Sequence, residues 1–198
     1  MPALPKQKYT LEEYFQIEKE SNERFEYFDG EIYSMAGVNQ EHDQIESNVH
    51  TSIRQKLRGK KCRAFLANMR LKVPSLPPYR YSDGSALCGE AIYEKIGGVD
   101  VLVNPQLIIE VLSDSTEKFD RDQKFKHYKS IESFREYLLI SQENYFVVHY
   151  LKHNEKFWMQ TEYDNLTDVI NLTTLDCDLT LAEIYEDIIL PRPEISSI

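Results

Sequence analysis

The 198-residue sequence lacks several features that mark other classes of protein. It contains no apolar run of about 18 residues, which argues against a membrane-spanning helix. The N-terminal segment MPALPK has no apolar signal core, so we expect a cytoplasmic protein. Internal repeats and low-complexity segments are absent as well. From these absences we expect an ordinary folded protein with no membrane partner.

Cysteine is scarce. The three cysteines, Cys62, Cys88 and Cys177, are odd in number and widely spaced, and no Cys-x-x-Cys motif occurs. This pattern favours buried free thiols over disulfides or a zinc site.

Positive charge is in deficit. The chain has 23 Lys and Arg against 33 Asp and Glu, a net charge of −10. Since phosphate neutralisation by cationic side chains supplies most non-specific affinity for DNA, this balance weighs against a nucleic-acid partner without excluding one. Basic residues are nevertheless dense over 54–63 and over 118–129, and Arg70, Lys72 and Arg80 lie between these groups. A solvated helix surface accounts for most of the basic positions.

The hydrophobic content of 41% and the aromatic content of 12% suit a folded domain with a sizeable core. We expect a single domain over 1–198, with its core over about 41–141. A helix and hairpin over 9–35 and further strands over 145–189 would extend that core.

Local patterns predict the main elements. Thr10 and Glu13 form a capping box that begins a helix, and Asp29-Gly30 is typical of a two-residue hairpin turn. Apolar residues recur every four positions over about 41–57, which predicts an amphipathic helix. Short strands come next, then a connector over 90–103, another strand and a helix over about 120–130. This order predicts an α+β fold whose α/β-like core is a mixed sheet flanked by helices.

The most informative segment is LIIEVLS, residues 107–113, a short apolar run with Glu110 at its centre. Such a run predicts a buried strand, where an ionised carboxylate is costly unless a cation faces it. Glu110 could neutralise a buried Lys or Arg. It could also join Asp83, from the strand-like segment 79–88, in a site for a hard cation such as Mg²⁺. Paired carboxylates would equally suit a glycosidase, which metal chelation should not inhibit.

Five segments together resemble one bacterial family. They are FEYFDGEI (25–32), NPQLIIEVLSDST (104–116), DRDQKFKHY (120–128), REYLLI (135–140) and LAEIY (181–185). The chain from Tyr9 to about Ile189 resembles the "putative restriction endonuclease" (Uma-type) family of the PD-(D/E)XK nuclease superfamily. The resemblance implies a restriction-endonuclease-like fold and a Mg²⁺- or Mn²⁺-dependent endodeoxyribonuclease.

By the same resemblance, Asp83, Glu110 and Lys124 are the expected catalytic residues. Asp83, Glu110 and the main-chain carbonyl of Val111 would hold the metal, which would make a water acidic enough to attack phosphorus. Glu26, Glu31 and His42 are possible accessory residues. DNA and a second copy of the chain are the expected partners, and no organic cofactor is expected. For DNA contact we predict Arg70, Lys72 and Arg80, on or beside the strands that lead to Asp83.

The sequence departs from the superfamily pattern at three positions. Ser82 stands where the family usually has Pro, and Gly84 replaces a β-branched residue. Leu112 occupies the place of the superfamily lysine, a role that the family resemblance transfers to Lys124 in the following helix. A long ammonium side chain can reach a site from a neighbouring element. The alternative is a non-catalytic descendant that binds DNA or protein, which Ser82 and the net charge favour.

Overall fold

The computed structural model describes residues 8–21, 23–28, 30–34, 37, 39–74, 77–113 and 117–190. The helices are α1 (Leu11–Glu20), α2 (Gln40–Lys56), α3 (Glu117–Phe119), α4 (Phe125–Tyr128) and α5 (Leu181–Ile184), with a π-helical turn at Asp120–Lys124 and a 3₁₀ turn at Thr173–Leu175. The strands are β1 (Phe25–Phe28), β2 (Glu31–Ser34), β3 (Cys62–Leu66), β4 (Arg70–Lys72), β5 (Tyr79–Tyr81), β6 (Gly84–Cys88), β7 (Tyr93–Ile96), β8 (Val99–Leu102), β9 (Leu107–Leu112), β10 (Glu136–Ser141), β11 (Val147–Lys152), β12 (Trp158–Tyr163), β13 (Val169–Leu172) and β14 (Cys177–Thr180).

The central element is a mixed six-stranded sheet in the order β12-β11-β10-β9-β6-β3. Strands β9 and β10 pair in parallel, and the other neighbours pair antiparallel. The α+β prediction of a mixed sheet flanked by helices is confirmed. Because β9 lies inside the sheet, all six of its residues are buried, as the apolar run at 107–112 requires.

A second sheet, in the order β5-β4-β8-β7, lies beside the first. The segment 79–88 reads as one strand in the sequence but is two strands in two sheets. β5 ends at Tyr81 in the four-stranded sheet, and β6 begins at Gly84 in the six-stranded sheet. Asp83 therefore lies where the chain crosses from one sheet to the other.

Apolar residues on the two faces of the six-stranded sheet form separate cores. Ile109 and Val111 of β9 face α2, whose Ile45, Val49 and Ile53 recur at helical spacing. Ile108 and Leu112 face the opposite side, with α4 and β4. Glu110 alternates with Ile109 and Val111, so it belongs to the face that looks toward α4.

Helix α1 and the β1–β2 hairpin pack against the four-stranded sheet through a cluster of tyrosines. Glu18 of α1 is buried and accepts hydrogen bonds from the Tyr79 hydroxyl, from Tyr81 at 3.0 Å and from Arg70 at 2.8 Å. The capping box of Thr10 and Glu13 is present. Asp29, predicted as the first turn residue of the hairpin, lies outside the described residues.

Three sequence predictions need correction. The segment 90–103 is not a connector but the β7–β8 hairpin, whose turn uses Gly97 and Gly98 at positive φ. The helix expected from 120 begins at Glu117. Cys62 and Cys88 are joined in a disulfide rather than free, because the antiparallel register of β3 and β6 sets them opposite one another. Cys177 is a free thiol, as expected.

Among the residues that the structure describes, no helix is long and apolar enough to cross a membrane. The single-domain boundaries and the cytoplasmic location stay predictions.

Candidate active site

An open cleft with a volume of about 1000 Å³ lies where the β1–β2 hairpin, α2, the π-helical turn and the ends of β6 and β9 meet. Asp83, Glu110 and Lys124 all line it, as do His42 and Arg24. The structure thus brings the three residues expected to be catalytic to one surface.

Asp83 is held in the cleft by both of its oxygens. Oδ2 accepts a hydrogen bond from the Val111 main-chain N–H at 2.6 Å, and Oδ1 lies 3.6 Å from His42 Nε2. Burial alone would raise the pKa of Asp83, but His42, the charge of Lys124 and the Val111 hydrogen bond lower it below its ordinary value. Asp83 is thus held as a carboxylate.

Glu110 is 1% exposed and both of its carboxylate oxygens are hydrogen-bonded. Its Oε2 lies 3.0 Å from Lys124 Nζ, and its Oε1 lies 2.8 Å from the Tyr128 hydroxyl. The sequence left open whether Glu110 pairs with a buried cation or belongs to a catalytic site. The structure is compatible with both interpretations, because the cation that pairs with Glu110 is Lys124, the lysine expected to be catalytic. Tyr128, which packs in the core, also belongs to this network.

Lys124 reaches the site from the helical segment after β9. Its Nζ lies 3.2 Å from Asp120 Oδ1, in addition to Glu110, and its side chain is 8% exposed. Burial would lower the pKa of Lys124, but the attraction of Glu110 and Asp120 raises it well above its ordinary value. The π-helical turn spans both Asp120 and Lys124, and such turns occur often at functional sites.

His42 and Glu46 lie one helical turn apart on α2 and face Asp83. A His ring nitrogen and one carboxylate oxygen each from Glu46 and Asp83 all lie within 4.8 Å of one another. His42 Nδ1 lies 3.3 Å from Gln142 Oε1, at the end of β10. Burial lowers the pKa of His42, but the neighbouring Asp83 more than offsets this and raises it overall.

Other residues expected at the site lie elsewhere or have other partners. Glu26 lines the cleft, yet its carboxylate accepts hydrogen bonds from Arg80 Nη1 and the Tyr81 N–H, both at 3.0 Å. Glu31 accepts a hydrogen bond from the Tyr33 hydroxyl at 2.7 Å and is not among the residues that line the cleft. Glu26 thus positions β5 below the cleft.

The three predicted DNA-binding cations are not among the residues that line the cleft. Arg80 is 1% exposed, with its guanidinium bonded to Glu26, the Tyr27 carbonyl and His127. Arg70 is bonded to Glu18 and stacks on Tyr79, with its guanidinium carbon 4.5 Å from the ring centroid. Lys72 pairs with Glu94 at the surface. Arg80 is too buried to contact a phosphate in this arrangement, whereas DNA contact by Arg70 and Lys72 stays a prediction.

The three departures from the superfamily pattern are each accommodated. Ser82 is buried and its hydroxyl donates to the Gly84 carbonyl at 3.1 Å. A Cβ on Gly84 would meet Ile109 Cδ1 at 3.5 Å, an ordinary contact, so glycine is not sterically required there. Leu112 packs in the core on the face that it shares with Glu110.

Sequence reasoning missed Glu46, Asp120 and Arg24. Two of them carried a signal, since Glu46 follows His42 by four residues and Asp120 precedes Lys124 by four, a spacing that places side chains on one helix face. Arg24 carried none. Its Nη1 is buried in the cleft wall and has no hydrogen-bond partner among the described residues.

Comparison with known proteins places this chain in a family. The family model described as "Putative restriction endonuclease", Uma2, matches residues 11–183. The uncharacterized protein sll1609 of Synechocystis sp. is 35% identical over 153 residues, covering 77% of this chain and 86% of that protein. The uncharacterized protein slr1290 of the same organism is 29% identical over 184 residues, covering 93% and 95% of the two chains.

Solved structures with a similar fold include one from a cyanobacterium. The crystal structure of a "putative nuclease belonging to DUF820" from Anabaena variabilis superposes with a TM-score of 0.64, covering 81% of this chain and 88% of that one. At 18% identity this likeness concerns the fold alone. The fold is restriction-endonuclease-like, and the match over 11–183 together with the relative at 35% identity shows that the chain belongs to the Uma2 family.

Proposed function

We propose that this protein is a metal-dependent endonuclease that hydrolyses DNA phosphodiester bonds in the cleft. The observation that carries the proposal is the convergence of Asp83, Glu110 and Lys124 on one open surface, from the crossing between the sheets, from β9 and from the helical segment that follows it. Membership of a family whose model is described as "Putative restriction endonuclease" supports it.

The donor set fits a hard divalent cation. Asp83 and Glu110 supply carboxylate oxygens, and the main-chain carbonyl of Val111 would add a third, which are the ligands that Mg²⁺ or Mn²⁺ takes in proteins. A bound cation would supply Lewis-acid activation of water and would neutralise charge on the leaving oxygen. The Val111 N–H donates to Asp83 and holds that ligand in place. Val111 also follows Glu110, the other carboxylate ligand, directly in the sequence.

Lys124 would stabilise the phosphate in the transition state. Its ammonium is kept charged by Glu110 and Asp120, and it is buried apart from the part that faces the cleft. A preorganised cation in a partly desolvated site acts strongly on developing negative charge. Tyr128 fixes the other oxygen of Glu110 and so limits its rotation.

Contact with the nucleic-acid backbone would fall to cations of the cleft itself. Arg24 and Lys118 line it, and Lys118 is exposed. A cation that lines the cleft can form a charge-assisted hydrogen bond with a phosphate oxygen, whereas Arg80 is buried away from it. Arg24 and Lys118 therefore take the role that the sequence suggested for Arg70, Lys72 and Arg80.

A nicking assay on supercoiled plasmid tests the proposal. Wild-type protein with Mg²⁺ or Mn²⁺ should convert the plasmid to the open-circular or linear form, while EDTA or Asp83→Ala should abolish conversion. DNA binding without cleavage by the wild type would instead indicate the non-catalytic alternative. Cleavage that persists in Asp83→Ala would point to a contaminating nuclease. A homodimer remains part of the proposal, to be checked by light scattering.

A further inference from the structure

His42, Glu46 and Asp83 form a compact group of potential metal ligands beside the Asp83–Glu110 pair. Helix α2 supplies two of them at i and i+4, and the crossing between the sheets supplies the third. Their ligand atoms lie within 4.8 Å of one another, and His42 Nε2 is 3.6 Å from Asp83 Oδ1. Ligands at about 2.1 Å from a divalent ion stand roughly 3 to 4 Å apart, so small side-chain rotations would close the group around a cation.

The tautomer of His42 is set by a residue outside the group. Gln142 Nε2 donates to Glu143 Oε1 at 3.0 Å, so Gln142 Oε1 is the atom that faces the ring of His42. An amide oxygen only accepts, and therefore Nδ1 of His42 carries a proton. When the ring is neutral, the lone pair lies on Nε2, the nitrogen that faces Asp83. Metal-ligating histidines are oriented in this way, with the second ring nitrogen donating to a carbonyl or carboxylate.

The group is also accessible. His42, Glu46, Asp83 and Gln142 all line the cleft, and Glu46 and Asp83 are half-buried. Two carboxylates beside a neutral imidazole carry two negative charges, which one divalent cation would balance. Imidazole together with carboxylate favours first-row transition metals over Mg²⁺, which prefers oxygen ligands alone.

We propose that His42, Glu46 and Asp83 bind a divalent first-row transition metal, for which Mn²⁺ serves as the probe, at a site separate from the Glu110 site. Asp83 is shared between the two, with Oδ1 toward His42. The inference rests on the proposed function only in this shared carboxylate, since binding at the histidine site does not require that the protein cleave DNA.

Mn²⁺ titration of the full-length protein without nucleic acid, followed by electron paramagnetic resonance, tests the site. Wild-type protein should bind two Mn²⁺ ions, and pulsed measurements should detect coupling to an imidazole nitrogen. His42→Ala should bind one ion without nitrogen coupling. Glu110→Gln should also bind one ion but retain the coupling. Gln142→Ala should weaken the histidine site by roughly 10- to 100-fold, the range for loss of an orienting partner.

His50→Ala is the matched control, because His50 lies two turns further along α2 and is not a member of the group. It should titrate as the wild type does. Glu46→Gln is a second test that leaves the nearly buried His42 in place, and it should weaken the nitrogen-coupled site. Wild-type stoichiometry and nitrogen coupling in both His42→Ala and Glu46→Gln would overturn the proposal. Unchanged binding in Glu110→Gln alone would instead count against the Glu110 site of the proposed nuclease.

Discussion

At the scale of single residues, several buried charges have partners of opposite sign. Lys124 faces Glu110 and Asp120, Arg80 faces Glu26, and Arg70 faces Glu18. Removing one member of a buried pair leaves an uncompensated charge, which costs more than the pair itself contributes. Residues of the site therefore also contribute to the stability of the fold, so variants must be assayed for both stability and activity.

Lys124→Ala should lower both turnover and stability. Loss of one preorganised donor reduces rates by about two to three orders of magnitude, and the unpaired Glu110 and Asp120 should cost about 3 to 5 kcal/mol of unfolding free energy. Mg²⁺ should raise the melting temperature of the variant more than that of the wild type, because the cation replaces the missing charge. Plasmid nicking and thermal unfolding measure these effects. Lys126→Ala, at an exposed position of α4, is the control, and a wild-type rate in Lys124→Ala would exclude the proposed role.

Arg24→Ala should weaken DNA binding while leaving metal binding intact. Removal of one phosphate-binding cation from the cleft should lower affinity for all sequences alike and reduce the slope of log affinity against log salt by about one unit. Fluorescence anisotropy with a labelled oligonucleotide at several salt concentrations gives both quantities. Arg63→Ala, on an exposed position of β3 outside the cleft lining, should bind as the wild type does. An equal decrease in the two variants would mean that Arg24 acts only through total charge.

At the scale of elements, the cleft is assembled by strands and helices whose contacts are fixed some distance from it. Arg80 of β5 joins the β1–β2 hairpin, through Glu26 and Tyr27, to His127 of α4. The disulfide between Cys62 and Cys88 ties β3 to β6, which begins directly after Asp83. Both connections can be altered without touching a residue of the site.

Reduction of the Cys62–Cys88 disulfide should destabilise the fold. The bond closes a loop with a sequence separation of 26 residues, and closing a loop of this size contributes about 3 kcal/mol. Thermal unfolding of the wild type should therefore shift downward on addition of a reductant. Cys88→Ala should already show the lower melting temperature and should not respond. A wild-type transition that ignores the reductant would contradict the expectation.

Acidification should weaken the contact between α4 and β5. Arg80 lies 3.2 to 3.3 Å from Nδ1 of His127 and needs the lone pair of that nitrogen. Burial, and then the charge of Arg80, lower the pKa of His127. The stability that neutral His127 contributes is present above about pH 6.5 and is lost as the pH falls through the lowered folded-state pKa. His127→Gln keeps an acceptor that does not titrate, so the variant should lose less unfolding free energy than the wild type between about pH 7.5 and pH 5, on either side of the ordinary histidine pKa. Urea unfolding curves that shift equally for the two proteins would refute this.

At the scale of the whole molecule, the sequence predicted three residues that the structure brings to one cleft, Asp83, Glu110 and Lys124, better than it predicted the chain around them. Glu110 and its strand followed from an apolar run with one carboxylate, and Lys124 followed from family resemblance. The crossing at Asp83 could not be predicted, because residues 79–88 form a continuous strand-like pattern whatever sheet they join. The pairing of Cys62 with Cys88 depends on strand register, which cysteine spacing does not encode. Arg70 and Arg80 looked like surface cations because their buried partners, Glu18 and Glu26, lie more than 50 residues earlier.

The charge of the cleft resembles that of the whole molecule. The net charge of −10 opposes nucleic acid at long range, and the cleft is acidic as well, because its cations Arg24, Lys118 and Lys124 are outnumbered by the carboxylates of Glu26, Asp43, Glu46, Asp83, Glu110, Asp120 and Asp122. A divalent cation at the site would offset part of this local negative charge. Association with DNA is therefore expected to depend on the metal as well as on these side chains.

Under the proposed function, the position of Asp83 between the two sheets would make metal binding and nucleic-acid binding thermodynamically linked. One end of the crossing is anchored to the six-stranded sheet by Val111, and the other continues from Arg80 in the four-stranded sheet. A ligand that shifts one sheet relative to the other changes the separation of Asp83 from Glu110 and His42, and so changes the affinity for the cation. By reciprocity, the cation must change the affinity for that ligand by the same factor. Metal and DNA should accordingly bind with a measurable coupling free energy rather than independently.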